Sequence, residues 1–441
     1  MPGASPAGDL REQLLEIAAL GAQRKPGPDR RWTSGLAAEQ ELLASAEALC
    51  VADSGSALAD RLDAAAPLEG LTAGGAFARA LALGTASGEA AAEAAARTLL
   101  GVRPEARAAC VDALSLAPSP TVAPAVQRLL DDAPSVVAAA ALEVLRFRRQ
   151  CAYGPVVIFL AHPVPAVAAT AARCLGTVAE RRAAASVLRH LLSRGPASTI
   201  DAVALAAAEA LLTLGDPAGL AFVRAKLEAE SVAPALPDES RVAYLRLLAL
   251  GGDAGDRELF FRSVEPGPPD ATAVGWFGHP DLVDWLLGSL EAANEARRAK
   301  GPASAPTPFE AAAARALHRI LGSPHGPDAP PRANETLVTE SGPWRGCWAR
   351  LRAKGPLRQK LRFGQPYTPD ATVDELEAET LFGSARADAA LELSIVSKGA
   401  AVLETHDWVA RQRAVLASAR ATLGREAYPA GAFPGARLAE R

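Results

Sequence analysis

The chain has 441 residues, with 46 basic and 50 acidic side chains and a net charge of −4. That length can bury a large interior, and the acidic balance argues against a generic nucleic-acid sleeve, which would concentrate positive charge. Alanine dominates while aromatics make up only 5%, a composition that favours closely approaching helices because alanine is the best helix former and has a small side chain.

The start, MPGASPAGDLREQ, lacks the basic start and apolar run of a secretory signal, so a cytoplasmic protein is expected. An opening helix, LREQLLEIAALGAQR, heads a helical lead-in over residues 1–67. The glycine-bearing LTAGGAFARA (Leu71–Ala80) has no strand signal before it and reads as a helix start, not a nucleotide loop.

From there the chain repeats itself. AARTL (Ala95–Leu99), ALEVL (Ala141–Leu145), AARCL (Ala171–Leu175), AAEAL (Ala207–Leu211) and AARAL (Ala313–Leu317) recur, with steps of 30 and 36 residues between the middle three. That period is one helix–turn–helix unit of an α-solenoid. The stretch GPVVIFLAHPVPAVAATAA is uncharged and long enough to suggest a membrane span. Its prolines break it into a helix, a turn at Ala161–Pro165 and a second helix. Glycines at Gly176, Gly215, Gly251 and Gly322 are expected to end the second helices in left-handed conformations. The central residue of the repeated pattern alternates in sign, with Arg97, Arg173 and Arg315 against Glu143 and Glu209. These form either a charged ladder along one surface or ion pairs between neighbouring repeats.

Near residue 280, FGHPDLVDWLLGSL (Phe277–Leu290) aligns without a gap on LGDPAGLAFVRAKL (Leu214–Leu227). Asp216 reads as a helix N-cap, so His279 should hold a capping position and Trp285 a core-facing one. On that reading, His279→Asp leaves function intact and stabilises the helix. Residues 68–322 form the repeat region, 323–343 a proline- and glycine-rich linker, 344–423 a C-terminal helical region and 424–441 a disordered tail. Thr368 is expected to cap a helix that opens with Pro369.

Residues Ser341–Pro369 are chemically the most distinctive. They hold seven basic side chains and no acidic one. Trp344, Trp348, Arg350, Arg352, Arg358, Lys360, Arg362, Phe363 and Tyr367, with Arg173 and Arg315 of the repeats, are therefore the candidate partner-binding residues. Arg, Trp and Tyr are favoured anchors for an acidic protein surface. Alternatively the segment stacks nucleic-acid bases, or its aromatics seal the C-terminal helices while its charges stay in water.

Catalytic signals are lacking. No His precedes a Glu, and neither G-x-S-x-G nor a phosphate-binding glycine loop occurs. The five cysteines (Cys50, Cys110, Cys151, Cys174, Cys347) are scattered, without C-x-x-C or zinc spacing, and read as reduced thiols in no activated context. No catalytic residue, cofactor or metal site is expected. The expected fold is an all-α solenoid with a C-terminal helical extension, and the expected role is a non-catalytic protein-binding scaffold. The alternatives are a nucleic-acid binder using residues 341–369 or a repeat-scaffold lyase-like enzyme.

The repeated units resemble HEAT-type repeats, particularly the short bacterial variety of phycobilisome-lyase-like proteins, over roughly residues 68–322. LRFGQPYTPDATVDELE, ADAALELSIVSKGAAVLETHDWVARQRAVLASAR and WFGHPDLVDWLLGSLE also resemble an uncharacterised proteobacterial HEAT-repeat family over residues 200–420. Members of that family are often encoded beside type VI secretion genes and PAAR-type spike components. The resemblance implies an accessory or adaptor role with a secretion effector or spike protein as partner, and it brings no catalytic residues.

Overall fold

The computed structural model describes residues 6–25, 30–51, 55–65, 67–193, 201–232, 236–265, 267–301, 305–324, 337–379, 381–424 and 428–438. Among them the protein is all-α apart from one two-residue hairpin, and its helices pack in sequence as in a helical-repeat arrangement. No single described helix is long and apolar enough to cross a membrane. The chain divides into two compact units, each discontinuous in sequence. One takes Met1–Val187, Leu381–Ala387 and Glu404–Val415; the other takes Leu188–Thr380, Asp388–Leu403 and Leu416–Arg441.

The first unit holds α1 (Pro6–Gln23), α2 (Leu36–Val51), α3 (Gly55–Ala65), α4 (Ala73–Thr85) and α5 (Glu89–Gly101). It continues with α6 (Pro104–Leu116), α7 (Val122–Arg128), α8 (Ser135–Phe147), α9 (Tyr153–Val157) and α10 (Pro165–Leu175). The division falls within α11 (Arg181–Ser193), and later within the helices Gly383–Val396 and Val409–Leu423, whose first turns belong to the first unit. The second unit follows with α12 (Asp201–Thr213), α13 (Pro217–Val232), α14 (Asp238–Gly251) and α15 (Arg257–Ser263). Next come α16 (Pro268–Phe277), α17 (Asp281–Ala299), α18 (Pro308–Leu321) and α19 (Ser341–Arg352). The hairpin β1 (Leu361–Arg362) and β2 (Gln365–Pro366) precedes α20 (Pro369–Glu377), α21 (Gly383–Val396), α22 (Val409–Leu423) and α23 (Pro434–Leu438).

Two series of contacts run through the first unit: α2, α4, α6, α8 and α10 pack each on the next, and so do α1, α3, α5 and α7. In the second unit α12, α14, α16 and α18 form such a series. The repeated five-residue pattern explains the packing. At each of its five occurrences the first, second, fourth and fifth residues are buried, while the central Arg97, Glu143, Arg173, Glu209 or Arg315 is exposed or half-exposed. Small residues at the buried positions let neighbouring helices come close. AARTL differs from the rest in place: it lies on α5, in the series with α3 and α7, whereas ALEVL and AARCL lie on α8 and α10. Its irregular spacing has that cause, and Arg97 therefore does not continue a ladder with Glu143 and Arg173. Glu143 is instead held by Arg146 one turn along its own helix.

Helix ends follow local chemistry. Thr72 accepts a hydrogen bond from the Gly75 N–H at 3.2 Å and opens α4, as the glycine-bearing stretch suggested. Thr307 and Glu310 form a reciprocal capping box at the start of α18. Thr368 precedes Pro369 at the start of α20 but contributes no side-chain cap. The apolar stretch at 154–172 is α9, a 3-10 turn at Ile158–Ala161 and α10.

The glycine expectation holds only in part. Gly215 is left-handed (φ 71°), and Gly322 has positive φ (81°) outside the left-handed helical region. Gly176 is right-handed (φ −66°) and Gly251 is the last residue of α14, without positive φ. The expected linker over 323–343 falls mostly outside the described residues, and its last residues, from Ser341, already belong to α19. The expected disordered tail needs correction: residues 428–438 are described, include α23 and bury Phe433 and Leu438.

In the first unit, the late segment Glu404–Val415 closes on helices from the beginning of the chain. The Trp408 indole N–H donates to the Leu116 carbonyl at 2.8 Å, and the Val409 N–H donates to Glu39 Oε2 at 2.8 Å. Arg24 donates to the His406 carbonyl, and Arg146 pairs with Glu404 at 2.7 Å. Arg386, over the Trp32 ring, donates to Gln412 at 2.8 Å.

Candidate functional site

The basic and aromatic residues of 341–369 separate into two environments within the second unit. The hairpin decides which goes where. Phe363 (φ 51°) and Gly364 (φ 74°) form its two-residue turn, both in the left-handed region as a tight hairpin requires. Their N–H groups donate to the carbonyls of Arg319 (2.7 Å) and Ile320 (2.8 Å), which the end of α18 leaves without intrahelical partners. The Leu361 N–H donates to the Gly278 carbonyl at 2.9 Å just past α16, and Gly431 bonds both the Lys360 N–H and the Tyr367 carbonyl at 2.8 Å. Gly278 is itself left-handed, and a Cβ there would lie 2.6 Å from the Leu361 carbonyl oxygen. The segment is thus laid against two helix ends and strapped by the tail.

Lys360 and Arg362, two residues apart, are both carried inward and buried. Glu392 of α21 accepts from Lys360 Nζ at 2.7 Å, from Arg362 Nη2 at 2.8 Å and from Thr372 Oγ1 at 2.9 Å. Glu375 of α20 accepts from Arg362 and, at 3.0 Å, from Arg319. Three cations face two carboxylates, and aromatic faces take up part of the excess. Trp276 lies 3.5 Å beneath Arg319, and Tyr367 lies 4.6 Å from the Lys360 ammonium. Burial opposes ionisation of Glu392, but Arg362 and Lys360 outweigh it and hold the carboxyl at about 2. Burial also pushes the Lys360 ammonium down to about 8, with Glu392 opposing.

This corrects part of the expected binding set: Trp344, Lys360, Arg362 and Tyr367 are buried and unavailable to a partner, and Trp348, which borders the cleft described below, is buried as well at 6% exposed. Trp344 donates its indole N–H to the Val338 carbonyl at 2.8 Å. Phe363 is half-buried in the hairpin turn, and exposed Arg350 donates to the Pro324 carbonyl at 3.1 Å. Arg315 is exposed on α18, and Arg173, in the first unit, is half-buried on α10.

The remaining three, Trp348, Arg352 and Arg358, line an open cleft of about 970 Å³ with Arg257, Glu258, His279, Asp281 and Asp284. Asp284 is the hub. It accepts from the Trp348 indole N–H at 2.9 Å and pairs with Arg352 at 3.4 Å, whose guanidinium lies 5.7 Å from the Trp348 ring. Arg257 pairs with Asp281 at 2.6 Å. Arg358 is exposed and makes no ion pair among the described residues.

His279, which is buried, also lines the cleft. Its Nδ1 accepts from the Asp281 N–H at 3.2 Å, just as Asp216 Oδ1 accepts from the Ala218 N–H at 3.0 Å. The alignment of the two stretches is therefore structural. The rest of the environment differs: the His279 ring lies against Phe277 and Phe433 at 5.9 and 5.7 Å, and burial lowers its pKa, with Asp281 opposing. Trp285 and its counterpart Phe222 are both half-buried, so the expected core position is a flank position. Arg257 and Glu258 carried no sequence signal, because only the fold brings α15 beside the start of α17.

Among the described residues no group of three or more His, Cys, Asp or Glu side chains is placed to hold a metal ion. Nothing in the cleft pairs a nucleophile with a base. Its exposed ion pairs contribute little to stability. The chain matches no protein-family model and no curated protein.

Proposed function

We propose that this protein is a non-catalytic adaptor of the HEAT-like solenoid kind, acting in the cytoplasm, that docks a protein partner in the cleft at the start of α17. The observation that carries this reading is the cleft's lining. Trp348, buried and held by Asp284, backs the cleft, exposed Arg358 makes no ion pair among the described residues, and Arg352 and Arg257 sit in exposed pairs that an acidic partner segment can displace. Sequential helix packing supports it too, since repeat arrays present extended surfaces better suited to recognition than to enclosing a reaction.

The family resemblance narrows the partner to a type VI secretion effector or spike component. Affinity-tagged wild type and an Arg352→Glu/Arg358→Glu variant, each expressed in the source organism, test both levels. Recovery of a secretion component by the wild type and its loss in the folded variant are expected. Recovery of no such component removes the secretion assignment, and equal recovery by both proteins removes the cleft.

A further inference from the structure

The buried cluster behind the hairpin holds more hydrogen-bond donors than acceptors. A carboxylate offers about four acceptor positions, and those of Glu392 are taken. Lys360 Nζ and Arg362 Nη2 donate to its Oε1 at 2.7 and 2.8 Å, and Arg362 Nη2 and Thr372 Oγ1 donate to its Oε2 at 2.8 and 2.9 Å. Glu375 takes Arg319 on Oε1 at 3.0 Å and Arg362 on Oε2. Two donors are left over: Trp276 Nε1–H and Arg362 Nε–H are buried and meet no acceptor among the described residues. Their residues are 1% and 2% exposed, and the Arg362 guanidinium carbon lies 5.0 Å from the Trp276 ring centroid. Two hydrogen bonds of about 3 Å to one atom span donors up to about 6 Å apart, so at this separation a single acceptor can serve both.

Charge points the same way. Arg319, Lys360 and Arg362 pair with Glu375 and Glu392 and with no other carboxylate among the described residues, which leaves one positive charge in excess. An uncompensated charge in a dry interior is costly. A water at the two donors would bring two more hydrogens and leave that charge in place. An anion brings acceptors only and cancels it.

We propose that Trp276 Nε1–H and Arg362 Nε–H bind a small monovalent anion of the chloride class within the second unit. One surplus charge calls for a single negative charge, and two converging N–H groups for a small ion. The Arg319 guanidinium, 3.5 Å from the Trp276 ring centroid, completes the positive surround. Arg319 is also the member that reaches solvent: its side chain is 13% exposed, against 0% for Lys360 and 1% for Arg362. The ion enters past it, at the last turn of α18, and ties α16 to β1. Trp276, Arg319, Lys360 and Arg362 do not line the docking cleft, and the anion site is independent of the adaptor role.

Full-length protein refolded from urea in sodium bromide and then crystallised tests the site, because anomalous scattering locates bromine. A bromide peak within about 3.5 Å of both Trp276 Nε1 and Arg362 Nε is expected. Water alone at that position, or bromide confined to the protein surface as an adventitious ion only, overturns the proposal. Urea unfolding at pH 7, with chloride replacing bulky gluconate at constant ionic strength, gives a second readout free of changes in screening. The unfolding constant should fall about five- to tenfold for a tenfold rise in chloride, as loading one ion on the folded state requires. Trp276→Phe keeps an aromatic ring and removes the N–H, so it should flatten that response. An unfolding constant indifferent to the exchange, or an undiminished response in Trp276→Phe, also overturns the proposal. The bromide map decides the matter if the variant does not fold.

Discussion

Glu392 joins two buried cations: Lys360 Nζ at 2.7 Å and Arg362 Nη2 at 2.8 Å both donate to its carboxylate. Removing one member of such a cluster leaves charge uncompensated in a dry interior. Glu392→Gln should therefore lower the unfolding free energy by about 3–5 kcal/mol. The exposed Arg352–Asp284 pair is the comparison, where Arg352→Ala should cost about 0–1 kcal/mol. Urea unfolding of the two variants measures the contrast. A loss below 1 kcal/mol for Glu392→Gln would show that the cluster is not intact in solution.

The same carboxylate makes the fold acid-sensitive. Held at about 2 when folded and about 4.3 when unfolded, Glu392 binds more protons in the unfolded chain between those values. Its contribution is fully present above that window and is lost as pH falls through it. Lys360 acts at the alkaline end. Depressed to about 8 when folded against about 10.4 unfolded, it makes stability rise with pH across that interval. Urea midpoints at pH 3, 5 and 7 should drop more steeply in the wild type than in Glu392→Gln. Parallel curves would assign the acid sensitivity elsewhere.

His279→Asp should destabilise, the reverse of what the alignment with Asp216 suggests. An aspartate would still accept from the Asp281 N–H. It would, however, give up the ring contacts with Phe277 and Phe433 and place a charge in a buried site beside Asp281. Asp216 has Arg189 at 3.3 Å to balance it. A loss of about 1–3 kcal/mol is expected in thermal or urea unfolding, and a gain in stability would contradict the packing described.

Phe433→Ala probes the strap formed by the tail. The side chain is buried against Phe277 at 5.3 Å, so its removal should cost about 3–5 kcal/mol, the usual cost of emptying a packed aromatic site. A change within about 0.5 kcal/mol, as at ordinary surface positions, would mean that the tail does not pack in solution.

The repeated helices were legible because their signal is local. Five segments bury the same four positions, with alanine first and leucine last in each, and threonine or proline marks many of the starts. The basic segment was misleading for the opposite reason. Lys360 and Arg362 look like surface charges until Glu392, 30 or more residues later, is folded onto them. The hairpin was missed because Phe363 is an unusual residue at positive φ, and only the free carbonyls of α18 explain its place. Of the candidate binding residues, Trp348, Arg352 and Arg358 reach the cleft, and Asp284, which positions the first two, lies 64 and 68 residues earlier.

The bond from the Val409 N–H to Glu39 spans 370 residues. Helical-repeat arrays ordinarily depend on neighbours alone and can begin folding wherever a few repeats have emerged. Here α2 is made early with Arg24 3.7 Å from its buried carboxylate, yet the hydrogen bond from the Val409 N–H comes only when residue 409 arrives. At ordinary elongation speeds that wait is roughly 20–75 s. During it the first helices on the ribosome lack the Val409 and Trp408 donors that complete Glu39 and the Leu116 carbonyl, an interval in which a chaperone has something to hold.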